Sequence, residues 1–116
     1  MKKISVLFVC LGNICRSPAA EAIFISLLEK KELTDCFIVD SAGTGSWHIG
    51  KKADSRMRIA AERRDIHILS KARQITRKDF DEFNYILAMD DSNFKNIQDL
   101  KNRTCLLYTS DAADDP

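Results

Sequence analysis

Residues 4 to 18 read ISVLFVCLGNICRSP, and the order of residue types within them decides the fold. Ile4 to Val9 is an apolar run broken only by Ser5 and rich in β-branched residues, the pattern of a strand buried on both faces of a parallel sheet. Ser17 and Pro18 supply a helix N-cap and a proline at the first helical position. The stretch that follows, AAEAIFISLLEKKE, places Ala19, Ile23 and Leu27 among its apolar helix positions. Between strand and helix lies one short turn that holds Cys10, Gly12, Cys15 and Arg16.

Working outward, Phe37 to Asp40 reads as a second strand, completing a β-α-β unit whose crossover is right-handed. The next stretch, SAGTGSWHIGKKAD, holds three of the four glycines and is expected to form a surface loop at a strand end. Asp54 is placed to cap a helix over SRMRIAAERRD, with Met57, Ile59 and Ala60 on its apolar side. A short helix around Lys78 to Glu82, a third strand at Tyr85 to Met89 and a helix over Asp90 to Leu100 follow. This alternation predicts an α/β fold of flavodoxin-like or Rossmann-like type, an open parallel sheet with helices on both faces. Such sheets bind ligands beyond the carboxyl ends of their strands, where the loops here begin at Cys10, Ser41 and Asp90.

The bulk numbers narrow the class. A chain of 116 residues makes one domain, and 30% charged with 45% hydrophobic residues is the mixture of a globular protein. A net charge of +1 without a basic arm argues against nucleic acid as a partner. The opening MKKISVLFVC lacks a small-residue cleavage site before Cys10, so no export signal or membrane association is expected, and a reducing cytoplasm is. Cys10, Cys15, Cys36 and Cys105 are too irregularly spaced for a disulfide scaffold. Cys10 and Cys15 also miss the C-x2-C spacing of zinc sites, so no metal or other cofactor is expected.

The turn itself points to anion chemistry. A strand-to-helix loop aims successive backbone N–H groups at one spot, and the helix N-terminus adds about half a positive charge, which suits a phosphate. Gly12 and Asn13 are residue types that accept the positive φ such a cradle requires. Arg16 adds a planar fork for two oxygens of one phosphoryl group. The same field favours a thiolate, so Cys10 becomes a nucleophile and the expected chemistry is phosphoryl transfer to sulfur. Ser17 is placed to donate a hydrogen bond to that sulfur. The loop lacks the lysine and second glycine of a nucleotide-binding P-loop.

CLGNICRSPAAE resembles the signature of the low-molecular-weight protein-tyrosine phosphatases, and the similarity continues through DSAGTGSWHIGKKADSR, KARQIT, DF and YILAMDDSN, from residue 4 to about 103. The resemblance implies hydrolysis of phosphotyrosine proteins or small aryl phosphates through a phosphocysteine. It assigns Cys10 as nucleophile, Leu11, Gly12, Asn13, Ile14, Cys15 and Arg16 as the phosphate loop with Arg16 its clamp, and Ser17 as stabiliser of the thiolate. Asn13 with Ser41 would hold the loop's shape, Ile14 and Trp47 would wall the aryl pocket, and Cys15 would form a reversible disulfide with Cys10. Trp47 as core packing stays open beside this. Asp90 reads as a helix cap, and His48 and His67 as solvated rather than as general bases. Ser70 stands where many relatives carry histidine.

The resemblance ends near Arg103. Relatives continue to a loop whose Asp-Pro and aromatics supply the general acid, whereas this chain ends CLLYTSDAADDP, with Asp115-Pro116 imitating only the first two letters. Residues 1–104 are expected to form an incomplete phosphatase-like domain lacking its last strand and helix. Residues 105–116 read as a non-native, adapter-like tail. The expected activity is therefore impaired on substrates whose leaving group needs a proton. Three alternatives remain: a phosphoarginine phosphatase, which in this family tends to carry threonine in place of Ile14; an arsenate reductase, which needs further relay cysteines; and a non-catalytic phosphate-binding fragment.

Overall fold

The computed structural model describes residues 2–108, and the side chains of residues 2–102. The expectations about Cys105, Asp115, Pro116 and the tail at 105–116 concern side chains outside those described. Three strands form one parallel sheet in the order β2-β1-β3, with β1 (Ile4–Cys10) between β2 (Phe37–Gly43) and β3 (Tyr85–Ala88). Ile4 pairs with Phe37 and Cys10 with Gly43, while Val6 to Val9 pair with Tyr85 to Ala88. The helices are α1 (Arg16–Lys30), α2 (Ser55–Glu62), α3 (Arg77–Glu82) and α4 (Asp91–Tyr108). An order of 2-1-3 places a topological switch point between β1 and β3, so the loop after Cys10 and the one after Ala88 open onto one crevice.

The run in β1 is buried as its composition demands: all residues from Ser5 to Cys10 are inside, with Leu7 and Val9 fully so. Leu7 and Val9 face a core completed by Ala42, Ile75 and Ile97 and flanked by Phe80, Phe83, Ile86, Ala88 and Leu100. The opposite face carries Phe8, whose ring meets Phe24 of α1 edge-on at 5.8 Å, and Phe24 in turn meets Phe37 at 5.5 Å. Helices therefore cover both faces, as the alternating pattern predicts.

Several local expectations change. β2 runs three residues beyond Asp40, because Ser41, Ala42 and Gly43 continue the ladder with Phe8, Val9 and Cys10. Helix α1 begins at Arg16 and its N-cap position is Cys15, so Ser17 is not the cap and Pro18 is not first. The reason is that the Ser17 hydroxyl is engaged elsewhere, at 2.9 Å from Cys10 Sγ. Ile23 and Leu27 are about half-exposed, and the helix buries Leu28 instead. Tyr85 and Leu87 share that exposure, since no described helix covers their side of β3. In α2 no residue is buried and Ile59 is exposed, although Asp54 caps the helix as expected, accepting the Met57 N–H at 3.2 Å.

One strut positions the site from behind. The Arg73 guanidinium forks onto Asp79, Nη1 to Oδ2 at 2.9 Å and Nη2 to Oδ1 at 3.1 Å, and reaches Asp40 of β2 through Nε at 3.1 Å. Asp79 also accepts the Thr76 N–H at 2.7 Å, which starts α3. The backbone around Arg73 then joins β2: Gly43 N–H donates to Arg73 O and Ile75 N–H to Gly43 O, each at 2.8 Å.

Burial opposes the charge on Asp79, but the Arg73 fork and the Thr76 amide outweigh it and hold the carboxyl below its ordinary value. A carboxyl lowered on folding adds stability above its unfolded value and loses it as pH falls through the folded one. Asp79→Asn is therefore expected to cost about 1.5–3 kcal/mol near neutral pH. In urea unfolding across pH, the gap between parent and variant should close as the pH drops below the ordinary aspartate value of 3.8.

Candidate active site

The carboxyl end of β1 delivers Cys10 into the crevice with its side chain buried, and the chain then turns tightly before α1. Two polar groups meet at the sulfur. Asn13 N–H points to Cys10 Sγ at 3.2 Å, and Ser17 Oγ lies 2.9 Å from it.

The turn is shaped by its carbonyls. Those of Cys10, Leu11 and Ile14 are taken by the N–H groups of Thr44, Gly45 and Asp54 at 2.9, 2.9 and 2.6 Å. All peptide bonds described are trans, so the peptides whose carbonyls point at Gly45 and Asp54 turn their N–H groups, on Gly12 and Cys15, the opposite way. Asn13 alone in the turn is left-handed, with φ of 57°. Gly12 is needed for a different reason: a Cβ there would sit 2.9 Å from His48 Cδ2. Two sequence expectations are thereby corrected. Gly12 supplies close approach rather than positive φ, and His48 is only partly solvated, its ring against Gly12 with Nδ1 buried. His67 is exposed, as expected.

Asn13 is 2% exposed and organises the site. Its Oδ1 accepts the Arg73 N–H at 2.9 Å, and its Nδ2 donates to Ser17 Oγ at 2.8 Å and to Ser41 Oγ at 3.0 Å. Ser41 in turn donates to Glu21 Oε1 at 2.5 Å. The expected pairing of Asn13 with Ser41 is present, while Arg73 and Glu21 were assigned no part from sequence. Arg73 sits in the quoted stretch KARQIT, but nothing local tells that its backbone reaches a turn sixty residues earlier.

At the lip, Arg16 is half-exposed, with Nη1 donating to Asp90 Oδ2 at 2.8 Å and Nη2 to Asn93 Oδ1 at 3.5 Å. Asp90 does cap α4, accepting the Asn93 N–H at 2.7 Å, and it also holds the arginine. That amide, with Arg16 beside it, keeps the Asp90 carboxyl below the usual carboxylate range. Next to the turn, Leu11, Thr44, Gly45, Trp47, Asn96, Asp99 and Leu100 enclose a cleft of about 200 Å³. Trp47 is exposed, which excludes core packing. Ile14 is not part of that cleft's lining, and Cys15 is exposed with its thiol free. The site thus offers a buried sulfur, inward amides, a guanidinium and an adjoining aromatic wall.

The sequence matches the family described as "Low molecular weight phosphotyrosine protein phosphatase" over residues 5–114. A curated relative of that description from Schizosaccharomyces pombe is 50% identical over 101 residues, covering 86% of this chain and 65% of the relative. A crystal structure of a protein tyrosine phosphatase from Entamoeba histolytica superposes with a TM-score of 0.82 at 47% identity, over 84% of this chain and 62% of that one. A Drosophila arginine phosphatase superposes at 0.81 with 40% identity, over 89% and 63% of the two chains. The chain thus spans somewhat less than two thirds of the length of these proteins.

Gly43 tests the turn without removing any of its hydrogen-bonding groups. A Cβ there would lie 2.7 Å from Leu11 O and 3.1 Å from Asn13 N, so the turn must shift to admit it. Gly43→Ala is expected to weaken binding of inorganic phosphate, measured by calorimetry, at least about tenfold. The far-ultraviolet spectrum should be unchanged.

Proposed function

This chain belongs to the low molecular weight phosphotyrosine protein phosphatase family, and on that premise we propose that it hydrolyses phosphotyrosine or aryl phosphates through a phosphocysteine. The carrying observation is the convergence of Asn13 N–H and Ser17 Oγ on Cys10 Sγ at the base of the turn that Arg16 closes. Cys10 attacks phosphorus in line: the S–P bond forms, the P–O bond to the aryl group breaks, and the aryl oxide leaves with the electron pair. The turn's amides, from Leu11 to Cys15, and the Arg16 fork hold the three equatorial oxygens as charge shifts among them. Water then attacks phosphorus, the S–P electrons return to sulfur, and Ser17 steadies the departing thiolate. Asn13 and Ser41 keep the turn in shape throughout.

Asp90 and Asn93 occupy one edge of the Arg16 guanidinium and orient it, which leaves the remaining donors for phosphate. Because its carboxyl is held ionised, Asp90 has no proton to give to the leaving oxygen. Turnover is therefore expected to favour substrates whose leaving group departs as an anion. Trp47 supplies a flat wall for an aromatic ring beside the turn, with Ile14, on the turn and outside that cleft, as a further apolar surface. When a peroxide oxidises Cys10 to a sulfenic acid, the Cys15 thiol displaces water from it to form a disulfide that a thiol reductant reopens, which protects the nucleophile. A reducing cytoplasm suits an enzyme whose nucleophile must stay a free thiol, and a phosphotyrosine protein is the partner class.

The similarity to an arginine phosphatase supports phosphoarginine as a second substrate. Ile14 and Trp47 favour an aromatic ring over a guanidinium, and preferential hydrolysis of phosphoarginine would reverse that choice.

Cys10→Ser is expected to abolish turnover of p-nitrophenyl phosphate while phosphate binding persists, and rapid acid quench of the parent should trap phosphate on Cys10. A binder without catalysis would show neither. Phenyl phosphate, whose leaving group is the poorer anion, should turn over about a hundredfold or more slowly than p-nitrophenyl phosphate. Equal rates would reveal a proton donor in place.

A further inference from the structure

The hydrogen bonds behind Cys10 have a direction, and that direction can be read. Arg73 N–H occupies Asn13 Oδ1, which fixes which end of the amide is nitrogen. Both Nδ2 protons are then committed, one to Ser17 Oγ at 2.8 Å and one to Ser41 Oγ at 3.0 Å. Each serine, having accepted, must place its own proton elsewhere. Ser41 gives its proton to Glu21 Oε1 at 2.5 Å. Ser17 has two acceptors within reach, Cys10 Sγ at 2.9 Å and Ala42 O at 3.4 Å.

We propose that Glu21 is a positioning residue for Cys10: by taking the Ser41 proton, its carboxylate orders a chain of hydrogen bonds that ends with Ser17 donating to the sulfur. The inference rests on the reading of Cys10 as nucleophile and deepens it. An ionised Glu21 can only accept, so Ser41 keeps its lone pairs for Asn13. A neutral acid, or a glutamine, brings a donor of its own to Ser41 Oγ, competes with Asn13 there, and loosens the amide that orients Ser17. The Ser17 proton is then free to turn to Ala42 O.

The surroundings of Glu21 raise its carboxyl above the ordinary value. Burial pushes its carboxyl up, the Ser41 hydroxyl opposes this, Asp40 on β2 raises it further, and Ser70 and Arg73 lower it. Glu29, Asp65 and His67 share with Glu21 the wall of a cavity of about 290 Å³. Ser70 matters here, since a hydroxyl at that position contributes a hydrogen bond but no positive charge to hold the carboxylate.

The test is the rate of Cys10 alkylation by iodoacetamide across pH in the full chain, read by peptide mapping so that Cys15, Cys36 and Cys105 are counted separately. Glu21→Gln is expected to slow alkylation at neutral pH about tenfold and to move the profile to higher pH. Ser41→Ala should do the same, and the double variant should add nothing further, because both act through one chain. A merely structural Glu21 would lower the thermal midpoint and leave the profile in place, which overturns the proposal. A profile moved to lower pH, as from removal of a repelling charge, overturns it as well. Failure to trap phosphate on Cys10 of the parent would instead fail the underlying reading and both fall together. A parent that is trapped, with unmoved variant profiles, refutes only the part given to Glu21.

Discussion

One buried amide side chain holds this site together. Asn13 meets the thiol through its backbone, two serines through its nitrogen and the Arg73 backbone through its oxygen, while its own main chain sits at a positive φ of 57°. Each polar atom of the side chain is satisfied, which is the condition for burying such a group without a cost of a few kcal/mol. The turn, the end of β2 and the segment before α3 are thereby locked as one unit. No substitute carries a donor pair and an acceptor at that geometry with comparable tolerance of the left-handed region.

The rest of the architecture supports that amide. Gly43 lets the end of β2 approach the turn, because any side chain there would press on Leu11 and Asn13. Arg73 ties Asp40 of β2 to Asp79 of α3, so its backbone arrives at Asn13 already anchored on two sides. Asp90 orients Arg16 from the loop after β3. Elements from three separate stretches of sequence thus converge on a turn of five residues, and the parallel order β2-β1-β3 brings them to one end of the sheet.

Legibility in the sequence followed the range of the interaction. The strand at Ile4 to Val9, the cap at Asp54 and the strand-to-helix turn were all readable, because period, capping chemistry and dipole arguments are local. Ser17 read both as a cap and as a partner of the Cys10 sulfur, and only the second is present, because a contact between positions seven residues apart takes its hydroxyl from the helix start. Gly12 and His48 were misjudged for the same reason: their mutual contact joins two loops. Ile23 and Leu27 show that an apolar helix position becomes core only where something lies opposite it. The roles of Arg73 and Glu21 depend on partners tens of residues distant, which no spacing rule reaches.

Trp47 is the sole tryptophan of the chain and lies 68% exposed beside the turn, its indole against the Gly45 backbone. Its emission therefore starts near the colour of indole in water even when the protein is native. Fluorescence will be a poor gauge of unfolding and a good optical reporter of occupancy, since an aromatic guest seated against that ring is what changes its surroundings.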